Sequence, residues 1–169
     1  MIIGIDYGGV CSMHDAKHED ETFSGEVGIN MPGCIEALRK LKAEGHTLIL
    51  ISFCGKKRAV ATRKYFYKFD EPLFDHYHFV KKRSFKKDVC AKYGVDIMID
   101  DRLDILKTVA PTKTMWFVND EFFRDPKDTE KFIPDISTQS WEFIPSIISV
   151  TPPAGLKPKP EIDISRLCH

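Results

Sequence analysis

The sequence predicts a doubly wound α/β fold, a parallel sheet between two layers of helices. Three observations carry that expectation. Short runs rich in β-branched and apolar residues, such as Ile2-Ile3-Gly4-Ile5 and Thr47-Leu48-Ile49-Leu50-Ile51, are continuous rather than alternating, as in strands buried on both faces. Helical patterns separate them, and strand–helix–strand repetition implies parallel pairing. Finally, the runs end in polar tips: Asp6, Ser52, the lysines after Val80, and Asp100-Asp101. In a parallel sheet all these tips share one edge, the edge where such sheets bind ligands.

The first run ends at Asp6, and Gly8 and Gly9 let the backbone turn sharply there. Residues 11–31 are polar and irregular. His14 and His18 have the i, i+4 spacing of a metal pair, but no third ligand of that kind follows, so a solvated loop is expected. Pro32 and Gly33 open a helix carrying Ile35, Leu38 and Leu41 on one face, with Gly45 as its stop. The second strand spans Thr47 to Ser52. A helix to about Lys68 follows Lys56-Lys57-Arg58. Gly55-Lys56 suggests a phosphate loop, but Leu50 and Lys57 stand where that loop needs glycine and Ser or Thr. Tyr77 to Val80 is the third strand, and Ser84 is the expected N-cap of a helix that Gly94 ends.

The fourth strand, Ile97 to Asp100, leads to a helix over Leu103–Val109, and Thr114 to Val118 is the fifth strand. Residues 119–139 read as irregular. A last helix over Trp141–Ile148 is interrupted at Pro145, and residues 150–169, with four prolines, read as an extended, mobile tail. The expected organisation is one domain over residues 1–149, without a sizeable cap, and the tail.

Bulk properties limit the partners. Twenty-five basic residues balance twenty-five acidic ones, so no global field draws nucleic acid or membrane. No apolar run reaches membrane-spanning length, and with no basic segment ahead of an apolar one at Met1 no secretory signal is expected. The five cysteines are odd in number and lack zinc spacing, which suits reduced thiols in a cytoplasmic protein. None has an arginine six positions on, which sets aside cysteine-nucleophile phosphatase chemistry.

Three carboxylates at one sheet edge repel each other unless a cation joins them. Hard oxygen ligands of this kind suit Mg²⁺, which keeps several waters and often shares a phosphate oxygen. The ordered tips over residues 1–118 resemble the four motifs of the haloacid dehalogenase-like hydrolases, a superfamily dominated by Mg²⁺-dependent phosphatases. The resemblance implies that Asp6 is the nucleophile and forms an aspartyl-phosphate. It implies that Ser52 hydrogen-bonds the phosphoryl oxygens, with Phe53 beside it. Asp6, Asp100 and the Gly8 carbonyl would hold Mg²⁺, helped by Asp101 or Asp104. A lysine before the fourth strand would neutralise the phosphate. Lys86 is favoured by its place in the first helical turn, with Lys82 and Lys87 as rivals that also suit substrate binding.

One departure stands out. Such phosphatases carry an aspartate two residues after the nucleophile, as general acid and base, and here that position is Gly8. Its loss is worth about 10²–10⁴ in rate, or about 3–5 kcal/mol of barrier. Water, the substrate, His14 or Asp15 would then supply the proton. The expected activity is therefore a slow phosphohydrolase. The alternative is a non-catalytic module that keeps the metal and phosphate pocket and binds a phosphorylated partner. With few residues to spare for a cap, the site is expected to be open to large substrates. The runs Lys56-Lys57-Arg58 and Lys81-Lys82-Arg83 should flank it, and nucleic acid stays among the admissible partners.

Overall fold

A computed structural model of the chain describes residues 1–13, 27–109, 112–119 and 132–169. His14, Asp15 and His18 lie outside the described residues. Among the described residues, six strands form one sheet: β1 (Ile2–Ile5), β2 (Thr47–Phe53), β3 (His76–Val80), β4 (Ile97–Asp100), β5 (Lys113–Phe117) and β6 (Ile136–Thr138). Their order is β3-β2-β1-β4-β5-β6, and every pair is parallel. Among the described residues, five α-helices flank it: α1 (Cys34–Ala43), α2 (Lys56–Phe66), α3 (Lys86–Tyr93), α4 (Leu103–Leu106) and α5 (Ile144–Val150). The expected doubly wound sheet is present.

The continuous apolar runs are explained by two separate cores. Along β2, Leu48 and Leu50 enter the core shared with α1, α2 and α5, while Ile49 and Ile51 enter the one shared with α3 and α4. A strand covered on both faces has no place for polar alternation. The strand order reverses between β1 and β4, and this switch point opens a crevice beyond the carboxyl ends of the two strands. Among the described residues, no helix is long and apolar enough to cross a membrane.

Four details differ from the sequence reading. Ser84 does not cap α3: Arg83–Phe85 form a 3-10 turn and the helix starts at Lys86 with no side-chain cap. The tighter turn tucks Phe85 against the α3-side core. A sixth strand falls within the stretch read as irregular. It has three residues, too few to show a period, and is held in place by Asp135, which accepts from the Thr114 N–H and hydroxyl. Pro145 does not interrupt the last helix. It sits in the first turn of α5, where its missing N–H costs nothing.

The tail is the fourth difference. It runs as a strap from the start of β5 back along α3 to the end of β3. Gly155 N donates to Asp96 (3.1 Å), Lys159 N to Ala91 O (3.0 Å) and His169 N to Phe79 O (2.9 Å). Lys81 N donates to Leu167 O (2.9 Å), and Val80 bridges Cys168 in antiparallel fashion, so the strap covers the β3 edge. Gly94, at φ 63°, has no room for a Cβ because Leu156 O would lie 2.7 Å from it. Four backbone donors worth about 1 kcal/mol each predict that deleting residues 152–169 costs about 2–4 kcal/mol after the entropy of ordering is deducted. Urea unfolding of the full and shortened chains measures this, and equal midpoints would refute it.

Candidate functional site

Register places the first carboxylates. Ile5 pairs with Ile99, so Asp6 and Asp100 stand level at the carboxyl ends of adjacent strands, and Asp6 N donates to Ile99 O at 2.9 Å. Lys86 comes from the α3 layer and reaches between them. Its Nζ lies 2.7 Å from Asp100 Oδ2 and 3.1 Å from Asp6 Oδ2. All three are buried, Lys86 at 1% exposure and Asp100 at 0%. The remaining oxygens take backbone donors, Tyr7 N on Asp6 Oδ1 (2.8 Å) and Arg102 N on Asp100 Oδ1 (2.9 Å). Each carboxylate is thereby fixed in rotation before any ligand arrives.

Asp101 completes the cluster. One oxygen from each of Asp6, Asp100 and Asp101 lies within 4.8 Å of the others, an oxygen donor set of the kind Mg²⁺ takes. Gly9 makes the room. It has φ 79°, and a Cβ there would lie 2.3 Å from Asp101 Oδ2, so both its conformation and its lack of a side chain are needed. The turn is pinned from outside. Asn119 Nδ2 donates to Gly9 O (3.1 Å), Trp116 Nε1 to Asp101 O (3.0 Å) and the buried Trp141 Nε1 to Val10 O (2.7 Å). Cys11 Sγ donates to Asp6 O at 3.3 Å.

The electrostatics follow from three carboxylates against one buried ammonium. Burial alone would lower the Lys86 pKa, but Asp100 and Asp6 outweigh it and raise it, so the lysine is charged. Burial pushes Asp100 up to about 6 against the pull of Lys86. Burial, with the charges of Asp100 and Asp6, holds Asp101 well above the carboxylate range. The cluster has an excess of negative charge that another cation would relieve.

The other expected site residues are placed as follows. Ser52 is buried near the end of β2, one residue further along the edge than the position level with Asp6. Phe53 ends that strand, and the Arg83 guanidinium lies over its ring at 4.3 Å. Lys82 is exposed, its Nζ 5.8 Å from the centre of the Phe85 ring. Lys87 is exposed and lines a separate shallow cavity with Gly94 and Leu156. Asp104 pairs with Arg102 at 2.8 Å and stays outside the carboxylate cluster. Gly8 opens the turn between Asp6 and Gly9. Of the three rival lysines, Lys86 is the one that meets Asp6 and Asp100. The supporting set of Trp116, Asn119 and Trp141 carried no signal in the sequence, because each acts across more than a dozen residues of chain through one hydrogen bond.

No protein-family model matches the chain, and no curated protein sequence matches it. Solved structures do. D,D-heptose 1,7-bisphosphate phosphatase from Burkholderia thailandensis superposes with a TM-score of 0.61 at 9% identity, over 89% of this chain and 99% of that one. The enzyme of the same name from B. bronchiseptica, complexed with magnesium and phosphate, gives 0.62 at 13% identity, over 88% and 97%. This chain shares their fold. An uncharacterized protein from Listeria monocytogenes serotype 4b also has it, with a TM-score of 0.59 at 14% identity, over 88% of this chain and 97% of that one.

Proposed function

We propose that this protein is a cytoplasmic, Mg²⁺-dependent phosphohydrolase working through an aspartyl-phosphate on Asp6. The observation that carries this reading is Lys86, buried between Asp6 and Asp100 with Asp101 alongside. A nucleophilic carboxylate that must approach a phosphate needs a fixed cation beside it. The fold shared with two phosphatases, one complexed with magnesium and phosphate, supports the same reading.

In the reaction, an Asp6 carboxylate oxygen attacks phosphorus and the ester P–O bond breaks. The leaving oxygen takes a proton from water or from the substrate. Water then attacks the phosphorus of the aspartyl-phosphate, releasing inorganic phosphate and restoring Asp6. Lys86 neutralises charge on Asp6 and the phosphoryl group, and Ser52 hydrogen-bonds its oxygens. Phe53 and Lys82 contact the rest of the substrate, whereas Lys87, on its separate cavity, does not. Asp6, Asp100, Asp101 and the Gly8 carbonyl would hold Mg²⁺, which screens phosphate from the carboxylates when bound. The catalytic domain spans residues 1–149 without a sizeable cap. A panel of phosphate esters assayed with and without Mg²⁺ tests the activity. Beryllofluoride trapped on Asp6 tests the covalent step.

Metal binding should depend on pH. Mg²⁺ requires the ionised carboxylates, whereas Asp100 holds its proton up to about pH 6 in the metal-free site. A raised acid pKa means the folded metal-free state gains stability from that proton at low pH and loses it as pH rises towards 6. Mg²⁺ affinity is therefore expected to climb from pH 5 to pH 7, with protons released on binding. Calorimetry in buffers of different ionisation enthalpy reads both, and a pH-independent affinity would contradict the donor set.

Gly8 favours a second reading, a module that only binds a phosphorylated partner. Gly8→Asp separates the two. The left-handed residue of the turn is Gly9, so the demand for glycine falls there. A carboxyl at position 8 would stand two residues beyond the nucleophile and supply the missing acid. Turnover of an aryl phosphate should rise about 10-fold or more, with the larger gain for poor leaving groups. A folded, Mg²⁺-binding variant with no added activity would favour the binding module.

A further inference from the structure

The pocket lies at one end of a longer basic strip. Lys56-Lys57-Arg58 follow β2, and Lys81-Lys82-Arg83 follow β3. These strands are neighbours, so the two runs leave the sheet side by side, about 5 Å apart at the strands. Lys56, Lys57, Lys81 and Lys82 are exposed. The strap adds exposed Arg166, whose carbonyl accepts from Lys81 Nζ at 3.1 Å. Lys86 then connects this strip to Asp6. The whole chain has no net charge, so the field is local to this edge.

The first turn of a helix is an unfavourable place for cations. Lys56, Lys57 and Arg58 occupy the first turn of α2, which holds no acidic residue. A helix N-terminus favours carboxylates and disfavours cations. Three cations there, on the sheet edge that carries Asp6, concentrate positive potential at some cost to the helix, which suits a polyanion.

Two aromatic rings lie within the strip. Arg83 covers Phe53 at 4.3 Å and Lys82 lies over Phe85 at 5.8 Å, with both rings half-buried. Aromatic rings and guanidinium planes are what single-stranded nucleic acids stack on, whatever the base. A phosphorylated peptide has little use for them, so the aromatic pairs favour nucleic acid over phosphoprotein.

We propose that the strip formed by Lys56-Lys57-Arg58, Phe53 and Lys81-Lys82-Arg83 binds single-stranded nucleic acid and presents its terminal phosphate to Asp6 and Lys86. The inference rests on the phosphohydrolase reading and names its substrate class, a phosphate monoester at the end of an oligonucleotide.

The test is fluorescence anisotropy with a labelled strand of about ten nucleotides, a length within the usual span of single-strand sites. It is phosphorylated at one end and compared with a phosphoserine peptide of equal net charge. The oligonucleotide should bind at least about 10-fold tighter, and engagement of about four phosphates predicts a log–log salt slope near −3. The double variant Lys56→Glu/Lys57→Glu should weaken oligonucleotide binding by about 10-fold or more. Both side chains are exposed and glutamate suits a helix N-terminus, so the variant should fold, as circular dichroism will check. Equal affinity for the peptide, or a double variant that binds the strand like wild type, would overturn the proposal. Calorimetry with inorganic phosphate and Mg²⁺ on the same proteins separates the two failures. Absent phosphate binding undoes the phosphohydrolase reading and with it the presentation of the terminal phosphate. Intact phosphate binding with no preference for the strand undoes the strip alone.

Discussion

Replacing Lys86 with alanine should unfold the protein more easily by about 3–5 kcal/mol, the usual cost of removing one partner from a buried ion pair. Lys86 is 1% exposed and bonds both Asp6 and Asp100. Without it, three carboxylates face one another and have to take up protons. The loss should therefore be smaller at pH 5 than at pH 7.5, because Asp100 already holds a proton up to about 6. Vanadate or phosphate binding should fall about 100-fold or more, since a charge-assisted bond and a neutralising charge go together. Lys82→Ala is the control. Its ammonium is exposed near Phe85, so neither stability nor anion binding should change by a comparable amount. Urea unfolding at two pH values and vanadate calorimetry give both readings. A tolerated Lys86→Ala beside a damaging Lys82→Ala would move the anion pocket away from α3.

Asp100→Asn should cost the protein its response to metal. The metal-free cluster sets three carboxylates against one ammonium, and Asp100 resists ionisation because it is fully buried. An amide of the same size keeps an oxygen for Arg102 N but turns its Nδ2 towards Lys86 Nζ, which is left with Asp6 as its one carboxylate partner. In Mg²⁺-free buffer at pH 7.5 the variant should melt below wild type, by less than Lys86→Ala does. On adding Mg²⁺, wild type should be stabilised by about 2–3 kcal/mol at a hundredfold excess over its Kd, while the variant barely responds. Thermal melts with and without Mg²⁺ read both effects. Equal stabilisation of the two proteins would remove Asp100 from the metal site.

The fold and half of the site were legible because they depend on local pattern. Continuous apolar runs marked the strands between two cores, and Asp6 and Asp100 could be placed at one edge because parallel strands all present the same end. What escaped was short or non-local. β6 spans three residues, Ile136–Thr138, and draws its stability from β5 and from the Asp135–Thr114 bonds. Ser84 has the right side chain for a cap, yet packing of Phe85 turned that segment into a 3-10 turn.

By itself, then, the sequence determined that strands and helices alternate, that carboxylates end two of the strands, and that glycine stands two residues beyond Asp6. Which of Lys82, Lys86 and Lys87 meets Asp6 and Asp100 was decided only by tertiary structure. All three have the same chemistry, and what separates them is the phase of a helix that starts at Lys86 and faces the sheet. The strap was decided there too. Its proline-rich residues show no period of their own, and their order comes from backbone bonds to α3 and to the edge of β3. Spacing along the chain records local geometry, whereas a bond between residues far apart in sequence exists only once the layers have packed.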